Sequence, residues 1–303
     1  MKYLVTLSDI KYIDKGLVLF DSLESTSNID FKLYYLCLDD KTYNIIQNIN
    51  NPKLIPYHAN NIIEDDEFKI LMKSSKSIDD NMKGRPDYVS TYHYASAPYI
   101  TYHLMKKFDL PELIYIDSDI KFYGDFNILF DIMIGKSIGL ILHRHNNFGC
   151  YVGAYNVGII YFRNDVPGIN CLKWWRDCMI DKDNQWAKEY GTCGDQKYLE
   201  AFGLLFGDEN IKIFDDDIGH GAPWNLGLYQ YLGDNKIIWK NKQQNLLFNH
   251  FSHFDENYEN DTYKIDKEGE WGSCLRPFFK GEIQKYYDDY FNHLKQIKDK
   301  YKI

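Results

Sequence analysis

The stretch that decides the fold is Glu112–Asp125, ELIYIDSDIKFYGD. A four-residue apolar run, Leu113–Ile116, leads straight into Asp117-Ser118-Asp119, and a Tyr123-Gly124-Asp125 turn closes it. A short run of β-branched and aromatic residues ending in turn chemistry reads as a buried strand. Strand side chains alternate, so Asp117 and Asp119 are expected to point to one side and Ser118 to the other. Two carboxylates at the carboxyl end of a parallel strand lie where open α/β sheets bind ligands. As hard oxygen donors they suit Mg²⁺ or Mn²⁺, which in turn bridges the phosphates of a nucleotide.

The surroundings place that strand in an α/β sheet. Apolar runs at Tyr3–Leu7, Lys32–Leu38, Leu54–Tyr57, Ile138–Leu142 and Val157–Phe162 read as further strands. Helical spacing marks Tyr12–Leu23, Lys41–Ile49, Thr91–Phe108, Val166–Met179, Asp195–Phe202 and Gly281–Lys300. Such alternation predicts a mostly parallel sheet with helices on both faces. No linker or internal repeat interrupts the 303 residues, so a single domain is expected. The polar stretch Asp255–Gly272 reads as an exposed loop or hairpin, and Asp181–Thr192 as a second polar segment.

Composition excludes several classes. The net charge is −9, from 35 basic and 44 acidic residues, with no basic stripe, which argues against nucleic acid as a partner. Six scattered cysteines form no CxxC or zinc spacing. No apolar run approaches the roughly 20 residues of a membrane span, and residues 2–7 alternate as a strand does, unlike a leader peptide. A soluble, cytoplasmic protein is expected. Composition leaves the oligomeric state open.

Six segments in order carry a resemblance to a known family: YLVTLSDIKYIDKGLVLFDSL (Tyr3–Leu23), IYIDSDIKFYGD, YNVGIIYFRND (Tyr155–Asp165), CGDQKYLEAF (Cys193–Phe202), GHGAPWNLG (Gly219–Gly227) and FNHFSHF (Phe248–Phe254). Together they resemble the GT-A fold glycosyltransferases, especially a bacterial-type group related to the retaining galactosyltransferase and glycogenin-like enzymes. The resemblance covers nearly the whole chain. It implies a Rossmann-like GT-A domain, with a nucleotide-binding half over residues 1–125, an acceptor and donor-sugar half over 126–280, and a C-terminal helix over 281–303. It also implies transfer of a sugar from a nucleotide-diphosphate donor, a UDP-sugar favoured, to a carbohydrate or glycoconjugate acceptor, with Mn²⁺ or Mg²⁺ as cofactor.

Each motif also has a reading of its own. Thr6 and Asp9 lie where the first strand passes into a helix. Asp9 either caps that helix or, as the resemblance implies, contacts the nucleotide while Tyr12 stacks on its base. Arg85, in Lys83-Gly84-Arg85-Pro86, is either a surface-loop residue or a cation for the diphosphate. Arg144 and His145 have a weaker claim to that role. Asn156 and Gly158 open a strand that the family places along the acceptor and donor sugar, and Gly158 allows close backbone approach. Asp195 begins a helix and suits its N-terminus; the resemblance sets Asp195 and Gln196 beside the donor sugar as catalytic residues. Trp224, in the Gly-flanked GAPWN loop, offers a flat face to a sugar ring or a lid. By resemblance a late histidine is the third protein ligand of the metal: His250, with His253 in reserve. An imidazole beside carboxylates tilts preference from Mg²⁺ towards Mn²⁺.

Rival functions fit less well. A sugar nucleotidyltransferase should show a Gly-rich, Arg-containing loop after its first strand, where this chain has SDIKY. A haloacid-dehalogenase-type phosphatase carries its nucleophilic Asp on the first strand, whereas DSDIKF comes late. A non-catalytic sugar-binding relative would keep the fold without turnover.

Overall fold

The computed structural model describes residues 1–62, 66, 69, 91–144, 152–180, 189, 194–215, 217–265 and 278–303. Arg85, His145 and Cys193 lie outside the described residues, as does most of the polar segment 181–192.

Four parallel strands form one side of the main sheet: β1 (Lys2–Ser8), β2 (Phe31–Cys37), β3 (Leu54–His58) and β4 (Glu112–Ile116). Their order is β3-β2-β1-β4, continued by β7 (Tyr155–Arg163), β6 (Ile138–Leu142) and β8 (Ile211–Ile213). β7 runs antiparallel to both neighbours, so the sheet is mixed and mostly parallel.

The strands are apolar throughout because both faces are covered. Successive residues divide between two cores. Leu4, Leu33, Tyr35, Ile114 and Ile116 pack on the face that carries α1 (Ile13–Thr26) and α7 (Glu282–Tyr301). Val5, Tyr34, Leu36, Leu113 and Tyr115 pack on the other face, under α3 (Thr91–Lys107) and α5 (Val166–Ile180). Each fully buried leucine contributes about 2 kcal/mol of transfer free energy, and β1, β2 and β4 supply such residues to both sides. Helix α2 (Asp40–Ile49) covers the β2–β3 edge and is capped by Asp39, which accepts from Thr42 N at 2.9 Å. Gly16 sets the seating of α1. A Cβ there would lie 2.0 Å from the Tyr35 hydroxyl, so only glycine lets the helix rest directly on β2. That seating brings the first turn of α1 to the carboxyl end of β1 and β4.

A second sheet has the order β10-β11-β12-β5, built from Gln230–Gly233 (β10), Lys236–Trp239 (β11), Lys242–His250 (β12) and Ile120–Phe122 (β5). β9 (Gly219–Gly221) pairs parallel to β12. Sequence patterning had not indicated this sheet. Arg144 ties it to the main sheet: its guanidinium donates to Asp215 Oδ1 at 2.8 Å, to the Asp215 carbonyl at 2.5 Å and to the Tyr229 hydroxyl at 3.1 Å. Its side chain is therefore committed to structure, which removes it as a phosphate ligand.

Two local expectations change. The helix expected over Asp195–Phe202 is a turn at 194–196, a 3₁₀ segment Lys197–Ala201, and a short α6 (Phe202–Phe206). Asp195 thus stands in a turn and not at an α-helix N-terminus. The polar stretch after residue 254 forms a hairpin, β13 (Asp255–Asn257) and β14 (Thr262–Lys264), while residues 266–272 lie outside the described part. Among the described residues no helix is long and apolar enough to cross a membrane.

Candidate metal and donor site

β4 ends at Ile116, and Asp117-Ser118-Asp119 turns the chain into β5. The carboxylates therefore converge by a turn and not by strand alternation. Two backbone bonds pin it: Asp117 N donates to the Gly158 carbonyl and Phe251 N donates to the Asp119 carbonyl, each at 2.9 Å. Because β4 lies beside β1, this turn is next to the Asp9–Tyr12 loop that leaves β1.

His250 is the last residue of β12 and pairs with Ile120, the first residue of β5. Its Nε2 lies 3.0 Å from Asp119 Oδ1 and 3.7 Å from Asp117 Oδ2. One ligand atom from each of Asp117, Asp119 and His250 falls within 4.8 Å of the others. Two carboxylate oxygens and an imidazole nitrogen in one place fit a divalent cation of the Mn²⁺ kind.

Asn156 orients that imidazole. Its Oδ1 accepts from Gly158 N at 2.9 Å and faces His250 Nδ1 at 3.2 Å. Since an amide oxygen only accepts, Nδ1 carries the proton and Nε2 is the atom left for a metal. The Asn156 amide donates to Gln196 Oε1 at 3.0 Å and faces His143 Nε2 at 3.3 Å. His143 Nδ1 in turn donates to the Gly153 carbonyl, at 2.8 Å. Gln196 Nε2 donates to the Val152 carbonyl at 2.8 Å. Asn156 therefore spends its hydrogen-bonding capacity joining Gln196 to His250.

Glycine at 158 is a requirement of this packing. A Cβ there would meet Asn156 Oδ1 at 2.5 Å and His250 Nδ1 at 2.8 Å. Gly158→Ala is accordingly expected to turn the imidazole and to weaken Mn²⁺ affinity by about 10–100-fold, as other losses behind a metal ligand do. Calorimetric titration of Mn²⁺ into the variant checks this; wild-type affinity would show that the orientation does not matter.

Burial alone would depress the His250 pKa, but the Asp119 and Asp117 carboxylates outweigh it and hold it above the ordinary 6.5. Burial raises Asp117, with Asp119 adding to the effect and His250 opposing it. At Asp119 burial also acts upward, but His250 and then Lys15 prevail and its pKa is lowered. A metal competes with the proton on His250 Nε2. Mn²⁺ affinity is therefore expected to fall as pH drops through the raised pKa of His250, and to level off above it. Affinity measured across pH 5.5 to 8.5 reads this, and a flat profile would exclude His250 as a ligand.

Asp195 is 3% exposed, and its carbonyl accepts from Trp175 Nε1 at 2.9 Å. Burial, and then the Asp117 charge, push its carboxyl well above the ordinary 3.8. It thus lies close enough to Asp117 to feel that carboxylate's charge.

The remaining expected residues lie as follows. Tyr12 is the N-cap residue of α1 and is 40% exposed. Asp9 accepts from Lys11 N at 2.9 Å and pairs with His93 at 3.5 Å, and its carbonyl accepts from Tyr12 N. Burial acts upward on Asp9, but the His93 bond and charge leave its pKa lowered. Thr6 is fully buried in β1, and Ser118 is buried in the acidic turn. Trp224 is buried beneath the cluster, edge-on to His143 and His250 with ring centroids 5.3 and 5.5 Å away. The reason is local: Asn225 accepts from Ala222 N and donates to the His143 carbonyl, folding GAPWN inwards. Trp224 is a wall behind the imidazole, not an open sugar platform or lid. His253 sits in a turn with φ 61° and is not part of the three-residue group.

Two residues near the site were not singled out from sequence. Tyr115 donates its hydroxyl to Asp117 Oδ1 at 2.8 Å. Lys15, buried in the first turn of α1, touches the Tyr12 ring and the chain after His250. The available signal was an Asp-Lys pair opening a helix that continues as Gly-Leu-Val-Leu-Phe.

The fold has counterparts of known structure, and they establish its class: it is the GT-A fold. The galactosyltransferase LgtC in complex with donor and acceptor sugar analogs shares 15% identity with a TM-score of 0.53, over 93% of this chain and 99% of that one. An active-site mutant of LgtC matches over the same shares, with a TM-score of 0.53 and 13% identity. In sequence, the chain is similar to two Bacillus subtilis (strain 168) proteins. Uncharacterized protein YfnF is 28% identical over 254 residues, 78% of this chain and 77% of that protein. Uncharacterized protein YfnD is 26% identical over 233 residues, 74% of this chain and 69% of that protein. No family model matches.

Proposed function

We infer that the protein is a metal-dependent glycosyltransferase, of the hexosyl- or N-acetylhexosaminyl-transferring kind. It moves a sugar from a nucleotide-diphosphate donor, a UDP-sugar by preference, to a hydroxyl of a glycan, protein or other acceptor, with retention. The observation that carries this reading is the meeting of Asp117, Asp119 and His250 at the carboxyl end of β1 and β4 in a GT-A fold. Support comes from LgtC, a galactosyltransferase crystallised with donor and acceptor sugar analogs.

In this reading Asp117, Asp119 and His250 hold Mn²⁺, or Mg²⁺, which supplies positive charge to the diphosphate as it leaves. Tyr12 stacks on the base and Asp9 contacts the nucleotide. Residues 1–125 thus serve the nucleotide, 126–280 the donor sugar and acceptor, and 281–303 close the domain as a helix. The acceptor hydroxyl adds to the anomeric carbon while the bond from that carbon to the phosphate oxygen breaks, its electron pair leaving with the nucleoside diphosphate. The leaving phosphate oxygen takes the hydroxyl proton on the same face. Asp195 stands beside the donor sugar and fixes its attitude by hydrogen bonding. Gln196 stands beside it with its amide held by Val152 and Asn156. The active-site LgtC mutant carries glutamate in place of a glutamine, which supports a glutamine in this role.

The test is a hydrolysis screen across nucleotide-sugars with Mn²⁺ present. Metal-dependent release of free sugar from one donor is expected. Binding of a nucleoside diphosphate without turnover of any donor would make the protein a non-catalytic relative.

A further inference from the structure

The first turn of α1 carries two charged side chains inside the protein. Asp14 is 5% and Lys15 4% exposed. A buried ammonium persists only where it is paired and hydrogen-bonded, and Lys15 meets that need with groups from the other end of the chain. Its Nζ donates to the Phe254 carbonyl at 2.9 Å and pairs with Glu256 Oε2 at 3.2 Å. On its own helix it lies over the Tyr12 ring, 4.2 Å from the centroid. Asp14 makes the companion contact, accepting from the Tyr258 hydroxyl. Phe254 and Glu256 directly follow the strand that ends in His250, after the left-handed turn at His253.

The geometry points to Lys15 as a positioning residue for nucleotide recognition: it fixes the Tyr12 ring for a base and ties that ring to the segment leaving His250. This rests on the proposed reading of Tyr12 as the base-stacking residue. One ring face is taken by the ammonium, so a base stacks on the opposite face, and the ring's attitude depends on where Phe254 and Glu256 hold the amine. The same charge reaches Asp119, whose pKa it helps to lower. Base and metal ends of the site thus share one cation whose bonds go to Phe254 and Glu256.

Calorimetric titration with UMP alone, and with UDP plus Mn²⁺, tests this on wild type, Lys15→Met, Lys15→Arg and Tyr12→Ala. Lys15→Met is expected to weaken both ligands by a similar factor, about tenfold, the scale of a partly desolvated cation–π contact. Lys15→Arg should recover most of the affinity. Adding Lys15→Met to Tyr12→Ala should cost little more, because the two act as one unit. A packing role alone predicts loss of thermal stability with UMP affinity intact, and that result would overturn the proposal. So would loss confined to UDP with Mn²⁺, which would put Lys15 at the phosphates. Should Lys15→Met fail to fold, Glu256→Gln keeps the amine and its Phe254 bond, and a smaller loss shared by both ligands is expected; wild-type UMP affinity there counts against the proposal. If UMP, GMP and TMP all fail to bind wild type, the base-stacking reading itself fails and the role of Lys15 falls with it. UMP binding that Tyr12→Ala leaves untouched places the base elsewhere.

Discussion

Asp119→Asn is expected to lower donor hydrolysis by about a thousandfold while leaving the fold in place. The carboxylate lies 3.0 Å from His250 Nε2 and is one of three side chains able to share a cation. Amide nitrogen cannot replace a charged oxygen donor there, and loss of the metal's charge stabilisation is worth several kcal/mol, each 1.36 kcal/mol being tenfold in rate. Without metal the variant gives up the attraction of the Asp119 charge to His250 and Lys15, so some loss of stability is expected, although the amide oxygen can still accept from His250 Nε2. The exchange relieves the repulsion between two neighbouring carboxylates, and the Asp119 carbonyl keeps its bond to Phe251 N. The paired measurement is thermal melting with and without Mn²⁺. Wild type should gain stability from the metal by mass action, and the variant should gain almost none. A variant that melts like wild type in both conditions, or turns over at full rate, removes Asp119 from the metal site.

Asp195→Asn is expected to act at a different step. Asparagine matches aspartate in size and the Trp175 bond is to the backbone carbonyl, so the buried turn should persist. Transfer should fall by about two to three orders of magnitude, the scale of a lost interaction made chiefly in the transition state, while UDP affinity stays near wild type. The sign of the stability effect follows from linkage. The folded pKa of Asp195 lies well above 3.8, so above that pH the folded state holds a proton that the unfolded chain releases, and stability falls as pH rises. Asparagine lacks that penalty. The variant should therefore match wild type near pH 4 and become progressively more stable than it towards neutrality. Loss of UDP binding as severe as that of Tyr12→Ala would move Asp195 into the nucleotide pocket.

The two kinds of structure in this chain were unequally legible. β1, β2, β4 and β6 are found within a residue or two of their sequence bounds because each is an apolar run between turn signals, buried on both faces. The second sheet escaped notice for the opposite reason. Gly219–Gly221 and Ile120–Phe122 are three residues each, and Lys242–His250 begins with polar residues, so none carries its own periodicity. The pairing of Ile120–Phe122 with Lys242–His250 joins residues more than a hundred positions apart. In the same way the acidic triplet was visible at once, but its geometry is that of a turn pinned by Gly158 and Phe251, which no local pattern announces. Lys15 was invisible because its partners, Phe254 and Glu256, belong to the far end of the sequence.

The ladder between β12 and β5, Phe248 with Phe122, Asn249 with Lys121 and His250 with Ile120, also sets an order of events during synthesis. Asp117 and Asp119 leave the ribosome well before His250 exists, so the nascent chain can close β1, β2 and β4 with an incomplete set of donors. Only when Lys242–His250 pairs with β5 does an imidazole arrive, and a slip of one rung would deliver Asn249 or Phe251 in its place. If Asp117, Asp119 and His250 hold a cation as proposed, its capture discriminates between registers. On the proposed reading, the newborn protein that captures a divalent cation is the one whose β12 has docked in register, and the others lack that stabilisation at the moment when misassembly is easiest.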